Sequence, residues 1–167
     1  MNSPVGTQGR RIARERALEL GYELEVRHGT LDELLAGLPA PPDPFALSLA
    51  RGVEDHRHEL DGLLGRFSQR WAVDRMPVVD RAILRLGCFE LVHASDTPTG
   101  VVISEAVELA QEYSTEHSGR FVNGLLSRIA DEVRPASAKD EPASAKVQPA
   151  PEPPVDGPPA SEPPAES

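Results

Sequence analysis

Apolar residues recur with a helical period through most of the first 134 positions, and no stretch alternates with the period of two that marks a strand. Ala13, Ala17, Leu20 and Leu24 share one stripe and predict a helix over 10–26, ended by Gly29. Thr30 and Glu33 have the spacing of a capping box for a short helix carrying Leu31, Leu34, Leu35 and Leu38. After the turn-rich LPAPPDP segment, Asp43 followed by Pro44 is a good helix start, and Phe45, Leu49, Val53, Leu60 and Leu63 predict one long helix over 44–65. Phe67 and Trp71 belong to a shorter helical or turn segment, where Trp71 reads as an inter-helix plug.

The densest part is 77–125. Val79, Ala82, Ile83, Leu86 and Phe89 predict a helix over 78–94, and Gly87 inside it implies another helix crossing closely, because mid-helix glycine costs about 1 kcal/mol relative to alanine. A turn at Asp96-Thr97-Pro98 leads to a helix marked by Val102, Ala106, Leu109, Ala110 and Tyr113, with Glu105, Glu108 and Glu112 on its polar side. After a polar loop, Phe121, Val122, Leu125, Leu126, Ile129 and Val133 mark the last helix, which stops near Pro135. The expected fold is an all-α bundle of about seven helices with short loops.

Composition divides the chain in two. Ten of the 17 prolines fall in 135–167, where almost no residue is apolar and larger than alanine. Such a segment buries too little surface to offset its ordering entropy, so the folded body is expected over 1–134 and an acidic Pro/Ala/Glu-rich tail over 135–167. The first eight residues, with Pro4 and Gly6, are expected to be a lead-in outside the first helix. The tail's two lysines and six acids supply −4 of the net −10; the body has 15 arginines, no lysine and 21 acids. Arg10, Arg11, Arg14 and Arg16 against Glu15 make the first sixteen residues cationic, which points to a localised anion site on an acidic protein. A tail of opposite charge is expected to serve as a spacer, as a solubiliser or as a weak anion mimic that competes for the arginine helix.

Candidate chemistry is sparse. No phosphate-loop, dinucleotide, nucleophile-elbow or zinc-protease motif occurs, so no catalytic residue, cofactor or metal is expected. Cys88, the single cysteine, lies among apolar residues and reads as a buried inert thiol. His56 and His58, two residues apart on a helix, face different sides and read as surface residues. No apolar run approaches a membrane span or a signal-peptide core, which implies a soluble, cytoplasmic protein. The segment Ser118-Gly119-Arg120-Phe121-Val122-Asn123-Gly124 sets a guanidinium and a stackable ring at a helix start, the means by which single-stranded RNA is recognised.

RIARERALELGYELEVR (11–27), VVDRAILRLGCFEL (78–91), VVISEAVELAQEY (101–113) and RFVNGLLSRIA (120–130), in this order, resemble the NusB family of bacterial transcription antitermination and rRNA-processing factors. The resemblance implies two packed helical subdomains without catalytic activity. It also implies a heterodimer with the ribosomal protein NusE that binds boxA RNA in nascent rRNA leaders and joins the antitermination complex on RNA polymerase. Carried over by position, the RNA side comprises Arg10, Arg11, Arg14, Tyr22, Arg120 and Phe121, and the NusE side Asp80 and Arg81. His117 stands where some members carry an acid. The alternatives are a homodimeric scaffold that occludes its own arginine helix and an rRNA-maturation accessory. The related leading domain of an rRNA cytosine methyltransferase is not expected, since 167 residues leave no room for a catalytic domain.

Overall fold

Helix α1 spans Thr7–Arg27, starting earlier than the glycines suggest, and the computed structural model to which it belongs describes residues 6–69 and 71–135. Gly9 falls in the first turn, where amides lack helical partners in any case and a glycine costs less than mid-helix. His28 ends α1 in the left-handed region at φ 53°, its N–H donating to the Leu24 carbonyl. Thr30 and Glu33 form the full reciprocal capping box of α2 (Leu31–Ala36). The Asp43 carboxylate caps α3 (Pro44–Asp55) by accepting from the amides of Phe45 and Ala46.

The single helix expected over 44–65 is two helices. α3 stops at Asp55, α4 runs from Arg57 to Ser68, and His56 serves as the joint with φ −106° and ψ 11°. At the joint, the Gly52 carbonyl accepts both the His56 amide at 3.1 Å and the His56 Nδ1 at 2.8 Å, so the imidazole is held back against α3 where the helix ends. The break lets α3 pack on α1 while α4 turns to pack on the last helix.

A 3₁₀ turn (Val73–Arg75) precedes α5 (Val78–His93), followed by α6 (Thr99–Tyr113) and α7 (Ser118–Val133). No strand occurs among the described residues. α5 is the central helix, packed against α1, α3, α4, α6 and α7. Leu60, Leu64, Ile83, Leu84, Leu109, Leu125, Leu126 and Ile129 around it are essentially inaccessible to solvent. Each such side chain contributes about 1.5–3 kcal/mol of transfer free energy. A second, smaller core joins Leu20 and Leu24 of α1 with Leu31, Leu34 and Ala50, giving the second subdomain. The close crossing expected at Gly87 is present: a Cβ there would stand 2.6 Å from Leu126 Cδ1 and 3.5 Å from the Ala106 Cβ.

Arg134 closes the body. Its guanidinium donates to the carbonyls of Glu90, Leu91, Ala94 and Thr97 at 2.6–2.8 Å. These lie at and just beyond the C-terminus of α5, where a cation also complements the helix dipole. Residues 136–167 of the expected tail lie beyond the described residues, as do Met1–Val5 of the expected lead-in.

Candidate nucleic-acid interface

The start of α1 and the start of α7 flank the C-terminal half of α6. Arg11 on α1 reaches Glu108 at 2.9 Å and Glu112 at 2.8 Å, and the Gly119 Cα on α7 sits so close to Gln111 and Val107 that an added Cβ would lie 3.0 and 3.6 Å from their side chains. The α6–α7 turn is fixed from a third side by Asp80, in the first turn of α5. Its carboxylate accepts from the Ser114 hydroxyl and, at 2.9 Å, from the Ser118 hydroxyl. The three helix ends are thereby held as one surface.

The structure sorts the residues of that surface sharply. Arg10 and Arg120 are exposed and make no ion pair among the described residues; the Arg10 guanidinium lies 5.8 Å from the centre of the half-buried Phe45 ring. Arg11 is partly neutralised: besides Glu108 and Glu112 it bonds Glu15 at 2.9 Å and lies 3.7 Å from Glu105. Burial works against its charge, yet Glu15, Glu112 and Glu105 outweigh it and hold the guanidinium above its ordinary value. The glutamates expected to form a plain solvated face therefore bind α1 to α6, and Glu105 in particular is mostly buried.

Three expectations need correction. Arg14 is 2 % exposed, with Nη2 2.8 Å and Nε 3.0 Å from the two oxygens of the buried Glu90, so its guanidinium is committed internally and offers nothing to a phosphate. The stripe on which Arg14 lies turns inward between α1 and α5. Asp80 is likewise 2 % exposed, and both its oxygens are used on Ser114 and Ser118 rather than facing a partner protein. Arg81 donates to the carbonyls of Val73, Asp74 and Met76 at 3.1–3.2 Å and to Glu25 at 2.5 Å, tying the 3₁₀ turn to α1. Phe121 is intermediate: it is half-buried and meets Trp71 edge-on at 5.4 Å, which also gives Trp71 its inter-helix role.

Tyr22 is exposed, but its surroundings are not those of a phosphate site. It lines a cleft of about 450 Å³ with Leu18, Val26, Val79 and Tyr113, rimmed by Glu15, Glu19, Glu23 and Arg27. Tyr22, Val26 and Tyr113 are among the few large apolar side chains exposed on this protein. Three carboxylates on the rim repel RNA phosphates, whereas an apolar floor suits a protein partner. The signal for this cleft was present in the sequence: Leu18, Tyr22 and Val26 form a second apolar row on α1, at spacing i, i+4, i+8, beside the core stripe.

The Cys88 thiol is fully buried, and burial, with Glu59 and Asp61 nearby, pushes it up to about 12; it stays protonated and is no nucleophile. No helix among the described residues is long and apolar enough to cross a membrane.

The model of the NusB family matches residues 11–131. The transcription antitermination protein NusB of Kineococcus radiotolerans is 44 % identical over 126 residues, which cover 73 % of this chain and 93 % of that protein. A crystal structure of T. maritima NusB superposes with a TM-score of 0.69 at 36 % identity, covering 81 % of this chain and 96 % of that one. A chain from the crystal structure of the antitermination factors NusB and NusE in complex with double-stranded RNA gives 0.66 at 27 % identity, covering 75 % and 98 %. With the family model matching 11–131 and a relative 44 % identical across 93 % of its own length, this chain belongs to the NusB family.

Proposed function

We propose that the chain is a non-enzymatic transcription antitermination factor that binds boxA RNA of nascent rRNA leaders as a heterodimer with NusE and acts in the cytoplasm on the polymerase-bound antitermination complex. The observation that carries this reading is the presence of two surfaces of opposite character on one helical body. Arg10 at the start of α1 and Arg120 at the start of α7 present exposed guanidinium groups that make no ion pair among the described residues, and the cleft around Tyr22 and Tyr113 presents an apolar floor with an acidic rim. The first suits a phosphate backbone; the second suits an apolar anchor flanked by cationic side chains. The family relative solved with NusE and RNA supports pairing a protein and a nucleic acid on one such body. In this assignment the protein-partner role passes from Asp80 and Arg81 to their neighbour Val79 and the cleft it lines.

The test is a fluorescence-anisotropy titration of boxA RNA with and without NusE. The dissociation constant is expected to fall at least tenfold when NusE is present, and Val26→Asp in the cleft is expected to abolish that gain. An unchanged constant on adding NusE contradicts the proposal. The same exposed apolar cleft also favours a second reading, self-association through it; sedimentation of the chain alone, with Val26→Asp as the comparison, separates the two.

A further inference from the structure

Away from the RNA end, the joint between α3 and α4 meets the last turn of α5, and two histidines and a glutamate converge there. His56 is the joint residue, Glu59 lies in the first turn of α4, and His93 is the last residue of α5. One nitrogen or carboxylate oxygen from each lies within 4.8 Å of the others, and this is the grouping of metal-ligating side chains found among the described residues. We propose that His56, Glu59 and His93 form a binding site for a divalent transition metal ion of the zinc class.

The tautomer of His56 is the first support. A carbonyl only accepts, so Nδ1, 2.8 Å from the Gly52 carbonyl, carries the proton of the neutral ring and leaves Nε2 as a free lone pair. A ring nitrogen bonded to a backbone carbonyl is the arrangement that orients metal-bound histidines and raises their basicity. The second support is spacing. Glu59 Oε2 accepts a hydrogen bond from His93 Nε2 at 3.1 Å, and an ion that displaced that proton would find the two donors close to the separation of about 3.3 Å between ligands of a tetrahedral ion with bonds of about 2.0–2.1 Å. The third is the shared backing. The two imidazoles lie 4.0 Å apart, centre to centre, and would open by about 1 Å to aim both lone pairs at one ion, with the Phe89 ring packed against both, at 5.7 Å from His56 and 5.2 Å from His93. Phe89 is itself seated on Gly52, where any Cβ would overlap the ring at 2.0 Å, so the carbonyl that orients His56 and the ring that backs the cluster are fixed together.

The donor set decides the class of ion. Two imidazole nitrogens and one carboxylate suit Zn²⁺, Co²⁺, Ni²⁺ or Cu²⁺ and disfavour Mg²⁺ and Ca²⁺, which take oxygen donors. Three protein ligands leave a fourth position to water, and the exposed side of Glu59 and His93 gives the ion a way in. The ion would clip the α3–α4 joint to the end of α5. Its role is therefore conformational, holding the bend that sends α3 towards α1 and α4 towards α7.

The test uses the full chain without a histidine tag, freed of metal by chelator and titrated with ZnCl₂ by calorimetry. One Zn²⁺ per chain is expected, with micromolar or tighter affinity, and His56→Gln, His93→Gln and Glu59→Gln are each expected to weaken it at least tenfold. His58→Gln, an exposed neighbour outside the cluster, is expected to bind as the parent does. Zn²⁺ should raise the melting temperature of the parent but not of His93→Gln, a variant that leaves the helix joint intact. Co²⁺ should give visible d–d bands that the same variant loses. Absence of saturable one-to-one binding, parental affinity in both histidine cluster variants, or an equal loss in His58→Gln would overturn the proposal.

Discussion

Arg14 and Glu90 meet as a two-point ion pair in the interior, with Nη2–Oε1 at 2.8 Å and Nε–Oε2 at 3.0 Å, both side chains almost wholly removed from solvent. The pair joins α1 to α5 and turns what reads as a cationic stripe into a structural contact. Removing one partner strands a buried charge, which costs about 3–5 kcal/mol. Arg14→Ala and Glu90→Gln are each expected to lose stability on that scale in urea unfolding. The Arg14→Ala protein that remains folded is expected to keep the parent's RNA affinity.

A second charged knot sets the acid limit of the fold. Glu25 accepts from Arg57 at 2.6 Å, from Arg81 at 2.5 Å and from Arg85. Partial burial acts to raise the Glu25 pKa, but the hydrogen bonds from Arg81 and Arg85 prevail and lower it from 4.5 to about 2. Because the folded value is the lower one, the contribution is complete above pH 4.5 and is lost as pH falls from there to about 2. Solvent screening at this partly open site limits it to about 1–3 kcal/mol. Unfolding free energy measured across this window is expected to fall more steeply in the parent than in Glu25→Gln. Equal slopes would remove Glu25 from the account.

Gly87 is expected to resist substitution. An alanine Cβ gains about 1 kcal/mol of helix propensity but presses on Leu126 in a full core, a strain of about 1–3 kcal/mol. Gly87→Ala should thus be destabilising by up to about 2 kcal/mol in chemical denaturation. Combined with Leu126→Ala, which vacates the space, its added cost should shrink or reverse. Strict additivity of the two changes would contradict the close crossing.

These residues show what sequence periodicity conveys. The core stripe of α1, the Thr30–Glu33 box, the Asp43 cap and the Gly87 crossing are local or nearly local in their physics, and each is legible from spacing alone. The break at His56 is not, because the hydrophobic stripe continues through it, and what surrounds the joint is a side-chain bond to Gly52 and the Phe89 ring from another helix. The direction of Arg14 and the burial of Asp80 were equally hidden, since their partners lie 76 and 34–38 residues away. His56 and His58 read as facing different sides of one helix; the second histidine of the cluster, His93, comes from a different helix, which spacing does not reveal. Of the six positions expected to face RNA, Arg10, Tyr22 and Arg120 are exposed, whereas Arg11 and Phe121 are partly buried and Arg14 is buried.

The most direct test of the central claim, that RNA is held through Arg10 and Arg120 in a complex with NusE, is the salt dependence of boxA binding with NusE present. For a single strand the slope of log K against log salt changes by about 0.7 per phosphate contact. Arg10→Ala combined with Arg120→Ala is expected to weaken binding across RNA sequences and flatten the slope by about 1.4. Arg14→Ala should leave the slope unchanged. A double variant that keeps the parent's slope and affinity would contradict the account.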